Sequence, residues 1–79
     1  MTDIEKLHAA FATGLHIDIA RITDELSYES IPEWDSVGHM ALVVEIESAF
    51  DVMLDTDDIV NLSSVAKAKE ILAKYDVKF

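Results

Sequence analysis

Three side chains able to move protons or form esters lie within five residues near the middle of the chain: Asp35, Ser36 and His39. A serine accompanied by a histidine and an aspartate suggests acyl transfer through an activated hydroxyl. The local pattern argues against it. Leu42, Val43, Ile46 and Phe50 follow at helical spacing, so Asp35 or Ser36 caps a helix, and His39 points back along that same helix. No Gly-x-Ser-x-Gly elbow is present to present the hydroxyl as a nucleophile. What the position favours is phosphate. The first N–H groups of a helix are free and lie at the positive end of its dipole, so a phosphate ester on Ser36 suits the site.

The elements that must hold Ser36 there follow from spacing and punctuation. Thr2-Asp3-Ile4-Glu5 fits a capping box, and Ile4, Leu7 and Phe11 continue at helical spacing toward Gly14, which predicts helix one over residues 3 to 13 with Gly14 as its stop. A long mixed segment from Leu15 to Glu33 comes next, with a short helical turn expected over Asp18 to Ile22. Its spaced apolar residues can pin it across the other helices. Pro32 pushes Ile31 toward an extended conformation and delays the second helix to about Asp35. Trp34 is expected to pack this loop against the start of that helix.

Helix two, about Ser36 to Phe50, carries two apolar stripes. His39, Leu42, Val43, Ile46 and Phe50 make the core stripe, with His39 a partly buried member; Val37, Met40, Ala41 and Val44 make a second. Either the loop covers the second stripe or it is an exposed docking patch rimmed by Glu45, Glu47 and Ser48, and the sequence favours the patch, since Met and small aliphatics beside acids suit transient contacts. Asp55 to Leu62 predicts a short third helix with acids in its first turn. Ser63 or Ser64 then caps a fourth, whose buried stripe is Val65, Ala68, Ile71, Leu72 and Tyr75. The fold class is therefore all-α, four helices with a long first loop and a short third helix, in one domain spanning 1–79.

Composition narrows the chemistry further. The chain has no cysteine, which excludes disulfides, thiolate metal sites and a cysteine nucleophile. An EF-hand loop starting at Asp55 would need Gly at Val60 and Glu at Ala66, and His8 and His16 are no helical metal pair, so no metal site is expected. No stretch approaches the roughly 20 apolar residues of a membrane span, and Met1-Thr2-Asp3-Ile4-Glu5-Lys6 is no signal peptide, so a soluble cytoplasmic monomer is expected. Net charge is −10, and every charged side chain from Asp24 to Asp58 is acidic. Such a surface repels nucleic acid and anionic lipid and steers toward basic protein surfaces.

Trp34-Asp35-Ser36-Val37-Gly38-His39-Met40 followed by Glu45-Ile46-Glu47-Ser48-Ala49-Phe50-Asp51-Val52 resembles the acyl carrier protein family, and the resemblance in length, helix pattern and acidity covers nearly the whole chain. It implies the acyl-carrier type of four-helix bundle. In that family a serine in an Asp-Ser-Leu motif receives 4′-phosphopantetheine from coenzyme A through a phosphopantetheinyl transferase. Ser36 would be that serine, and Asp35 would help present it near the transferase magnesium. The arm's thiol would carry acyl intermediates of fatty acid, polyketide or related specialised biosynthesis, so the chain itself would not be an enzyme and would hold no catalytic residue. Val37, Met40, Val44, Glu45, Glu47 and Ser48, with Asp57 and Asp58 at the edge, would meet acyl-loading and acyl-processing enzymes through their basic docking surfaces. Leu42, Val43, Ile46, Phe50, Ile59, Leu62, Ala68 and Ile71 would line the acyl-chain pocket. The chain departs from the family pattern in Val37 for leucine, in Gly38-His39, and in Trp34 for a small residue. Gly38 is expected to loosen the first turn of helix two by up to about 1 kcal/mol relative to alanine. The alternative is a small acidic helical interaction module without covalent cofactor, binding a basic partner through the second stripe.

Overall fold

Thr2 starts the first helix as its sequence requires: its hydroxyl accepts from the Glu5 N–H at 3.2 Å while the Glu5 carboxylate accepts from the Thr2 N–H at 3.1 Å, a closed capping box. The computed structural model describes residues 2–79, and the elements in order are α1 (Asp3–Leu15), a 3-10 turn (Ile19–Arg21), α2 (Ser36–Phe50), α3 (Thr56–Asn61) and α4 (Val65–Ala73). The described residues form four α-helices and no strands, so the chain is all-α. Among the described residues the one β-type pairing is an isolated antiparallel bridge between Ser27 and Ser64. Among the described residues no helix is long and apolar enough to cross a membrane.

The first helix runs two residues past the expected stop, and the reason lies in its neighbour. His16, not Gly14, takes the left-handed cap with φ of 57°. Gly14 is buried where α1 meets α2, and a Cβ there would sit 2.7 Å from the Leu42 Cα. The glycine therefore lets two backbones approach rather than ending a helix. Leu7, Phe11 and Leu15 of α1 and Leu42, Val43 and Ile46 of α2 share one core with Val65, Ala68, Ile71 and Leu72 of α4.

The loop from His16 to Asp35 is fastened along its length. Ile22, Leu26 and Trp34 are buried in that core, with Ile17 and Ile31 packed against it. The Tyr28 N–H donates to the Ser63 carbonyl at 2.9 Å and the Val65 N–H to the Leu26 carbonyl at 3.0 Å, tying the loop to the α3–α4 junction. These bonds satisfy loop backbone that would otherwise be left unpaired. Ser64 is the cap of α4, its hydroxyl accepting from the Lys67 N–H at 2.9 Å.

Phe50 departs from its expected core position. It is half-buried at the end of α2, edge-on to Phe79 at 6.1 Å with the Lys6 ammonium 5.9 Å from its ring centroid. Tyr75 likewise lies beyond the end of α4 and is half-buried.

The acidic block is partly neutralised by cations from outside it. Arg21 pairs with Glu33 at 3.3 Å, Lys69 with Asp24 at 2.8 Å, and Lys74 with Asp58. Those pairs engage half of the six Lys and Arg against 16 acids. Repulsion among the remaining acids outweighs what exposed pairs lose to screening. The melting temperature is expected to rise with added sodium chloride by a few degrees; a scan across ionic strength that stays flat or falls would contradict this.

Candidate functional site

Asp35 takes the cap of α2 and Ser36 the first helical position. The Asp35 carboxylate accepts from the Gly38 N–H at 2.9 Å, so it is committed to the backbone. Ser36 is exposed, and its hydroxyl lies 3.2 Å from the Tyr28 hydroxyl. His39 takes no part in this. Its Nδ1 accepts from the Trp34 indole N–H at 3.0 Å and its Nε2 lies 2.8 Å from the Ile59 carbonyl oxygen. The three residue types that suggested an activated serine thus have separate partners. Among the described residues no three His, Asp or Glu side chains converge as a metal-binding group.

Trp34 is fully buried, edge-on to Phe11 at 5.3 Å and stacked on His39 at 6.3 Å with 15° between ring planes. Tyr28 closes the cluster, edge-on to Trp34 and to His39. This aromatic wedge fixes the loop immediately before Ser36.

Ser36 opens onto a groove of about 390 Å³ between α2, α3 and the loop, lined by Tyr28, Ser36, His39, Met40, Ile59, Val60, Leu62 and Ser63. Of the eight residues expected to line an acyl-chain pocket, Ile59 and Leu62 line this groove. Leu42, Val43, Ile46, Ala68 and Ile71 fill the core, and Phe50 lies at the bundle margin. Helical periodicity identifies the buried face of a helix, which is a different property from lining a groove between helices. Tyr28, Val60 and Ser63 were outside the sequence expectation, and no spacing links residues from a loop and two helices.

The second stripe of α2 is open to solvent. Val37 is 80% exposed, Met40 53% and Val44 58%, with Val60 of α3, itself in the groove wall, 74% exposed. The loop packs elsewhere and leaves this stripe uncovered. Ser48 is exposed, and Glu45 is half-buried; both border α1 in a shallow depression with Lys6 and Ala9. Glu47 has a structural task, its carboxylate accepting from the Leu54 N–H at 2.9 Å after the helix ends.

Asp57 is exposed, as a rim residue should be, but Asp58 is not. Asp58 is 2% exposed, accepts from the Tyr75 hydroxyl at 2.6 Å and pairs with the Lys74 ammonium. It anchors α3 to the end of α4 and has no surface to offer a partner. The Lys74 ammonium, followed by the Tyr75 hydroxyl, holds the Asp58 carboxyl below the usual carboxylate range, while the Asp58 hydrogen bond raises both Lys74 and Tyr75. The sign is that of a depressed carboxylate: the anchor contributes fully above the ordinary aspartate range and is lost as pH falls through the lowered pKa of Asp58. For Lys74 and Tyr75, both raised, the contribution is lost as pH climbs through their folded-state values. Asp58→Asn should therefore lower the melting temperature at neutral pH, with the gap from the parent closing in acid. A gap that is constant with pH would assign Asp58 a role in packing alone.

A scan against protein-family models, a search of the curated proteins and a search of the solved structures each return no match.

Proposed function

We propose that the chain is an acyl carrier protein, with its four helices arranged as the acyl-carrier type of bundle and Ser36 as the attachment point of 4′-phosphopantetheine. The observation that carries the reading is an exposed serine hydroxyl at the first position of α2, directly after an aspartate cap and at the mouth of an apolar groove. The residues present fit the group: a hydroxyl free to be esterified, helix N–H groups and dipole at the phosphate position, and a groove alongside. Bound there, the arm would supply the thiol that a chain without cysteine lacks, holding acyl groups as thioesters.

The roles of the chain's own residues follow. Within a phosphopantetheinyl transferase the Ser36 oxygen attacks the β-phosphate of coenzyme A; the new ester bond replaces the pyrophosphate bond, and the nucleotide bisphosphate leaves. Asp35 holds the helix start through one carboxylate oxygen, and the other would be the one to help present Ser36 near the transferase magnesium. Tyr28 holds the Ser36 hydroxyl in place before transfer. Val37, Met40 and Val44, flanked by Glu45 and Asp57, form the face that meets acyl-loading and acyl-processing enzymes of fatty acid, polyketide or related biosynthesis.

The same exposed stripe favours a second reading, an acidic interaction module with no covalent cofactor. Intact mass after incubation with coenzyme A and a broad-specificity phosphopantetheinyl transferase separates the two. The parent is expected to gain one phosphopantetheine group and Ser36→Ala none, with unchanged circular dichroism. A folded, unmodified parent that gains nothing with several transferases would leave the interaction module as the function.

A further inference from the structure

His39 lines the groove beside Ser36 and is also bonded to the buried core. The indole N–H of Trp34 can only donate, so His39 Nδ1 is the acceptor of their 3.0 Å bond and the neutral ring carries its proton on Nε2. Nε2–H then donates to the Ile59 carbonyl at 2.8 Å. That carbonyl lies in the last turn of α3, where its helical partner is the Leu62 N–H at a long 3.4 Å. His39 therefore links the buried indole to the end of α3 and spans the gap between α2 and α3. Beyond it lie Trp34, Leu42, Val43 and Ile46, all within 2% of complete burial. A chain that enters the core between His39 and Ile59 must part the Nε2 bond and, once the ring swings aside, the Nδ1 bond as well, which strands a buried indole donor.

We propose that His39 is a latch that determines how deeply a group tethered at Ser36 is buried, so that the groove accepts a short acyl group and the core stays shut to a long one. This rests on the carrier reading of Ser36. Its consequence is a saturating dependence on chain length: methylenes within the groove add to binding, and those beyond the latch stay in water.

The test is to transfer acyl-pantetheine arms from acetyl to dodecanoyl onto Ser36 of the full chain and to record amide shifts at Ile59 and Leu62 and the Trp34 indole resonance. In the parent, each methylene buried within the groove is expected to multiply the bound-to-free ratio about fourfold. The gain should stop at a chain length short of dodecanoyl, with the indole resonance unmoved throughout. In His39→Ala the gain should continue toward dodecanoyl, whereas His39→Gln, which keeps an acceptor and a donor, should saturate as the parent does. A parent in which dodecanoyl shifts the indole resonance and still gains occupancy overturns the latch, and that reading needs no variant to fold. So does a His39→Ala that folds and saturates at the parental length. If a folded chain accepts no arm, the carrier reading falls, and the latch is then read with free S-acyl pantetheines: saturation at the same length upholds it, and a steady gain overturns it.

Discussion

Trp34→Ala is expected to remove about 3–5 kcal/mol of stability. For a domain of this length the total is roughly 4–12 kcal/mol, so the variant should lose at least about a quarter of it, and all of it at the low end of that range. The size follows from three roles carried by one side chain. Trp34 is fully buried, packs its edge against Phe11 across the loop–α1 boundary, and donates to His39. Truncation opens a cavity bordered by two aromatic rings whose own backbones are held by helices, so the site cannot collapse to fill it. Trp34→Phe separates packing from hydrogen bonding. It keeps a ring against Phe11 and strands His39 Nδ1, at a cost of about 1–3 kcal/mol. Urea unfolding followed by circular dichroism measures both, and a Trp34→Ala midpoint close to that of the parent would remove Trp34 from the centre of the fold. A double-mutant cycle with His39→Ala should return a coupling of about 0.5–3 kcal/mol, as expected of two residues in one hydrogen-bonded unit.

Features set by neighbours in the chain were legible in the sequence, and features set by neighbours in space were not. The Thr2–Glu5 box, the Asp35 and Ser64 caps and the span of α2 each depend on residues within a turn or two of one another, and the structure has them where the spacing predicts. The exposure of Val37, Met40 and Val44 was also readable, because one helix in so small a domain cannot bury two faces. Asp58 was misread because acids in a first turn ordinarily face water and the helix dipole. Its fate is decided by Lys74 and Tyr75, 16 and 17 residues further on. The groove at Ser36 escaped for the same reason. It is assembled from Tyr28 in the loop, His39 and Met40 on α2 and Ile59 to Ser63 around α3, and no periodicity joins those positions.

Gly38→Ala is expected to destabilise the protein by about 1–3 kcal/mol, against the sign that helix propensity alone predicts. In an exposed first turn alanine should gain up to about 1 kcal/mol over glycine, and Gly38 would then be a point of fraying. The structure gives this glycine a different function. A Cβ at position 38 would fall within van der Waals contact distance of the Glu33 carbonyl oxygen, a backbone atom that cannot swing away, and 3.3 Å from Leu15 Cδ2. The loop thus crosses directly over the first turn of α2, and Gly38 makes room for it while its N–H donates to Asp35. An alanine must lift Glu33 and with it Trp34, which follows immediately and is the most deeply set side chain of the loop. Stability and reactivity should therefore fall together: Gly38→Ala lowers the urea midpoint, and the displaced loop carries the Tyr28 hydroxyl away from Ser36, which on the proposed carrier function slows phosphopantetheine transfer without removing the acceptor. Amide exchange over residues 38 to 40, whose N–H groups are bonded, is the direct check. Protection there equal to that of mid-α2 in the parent, lost in Gly38→Ala, is the expected pattern; rapid exchange in the parent would return Gly38 to the role of a frayed turn.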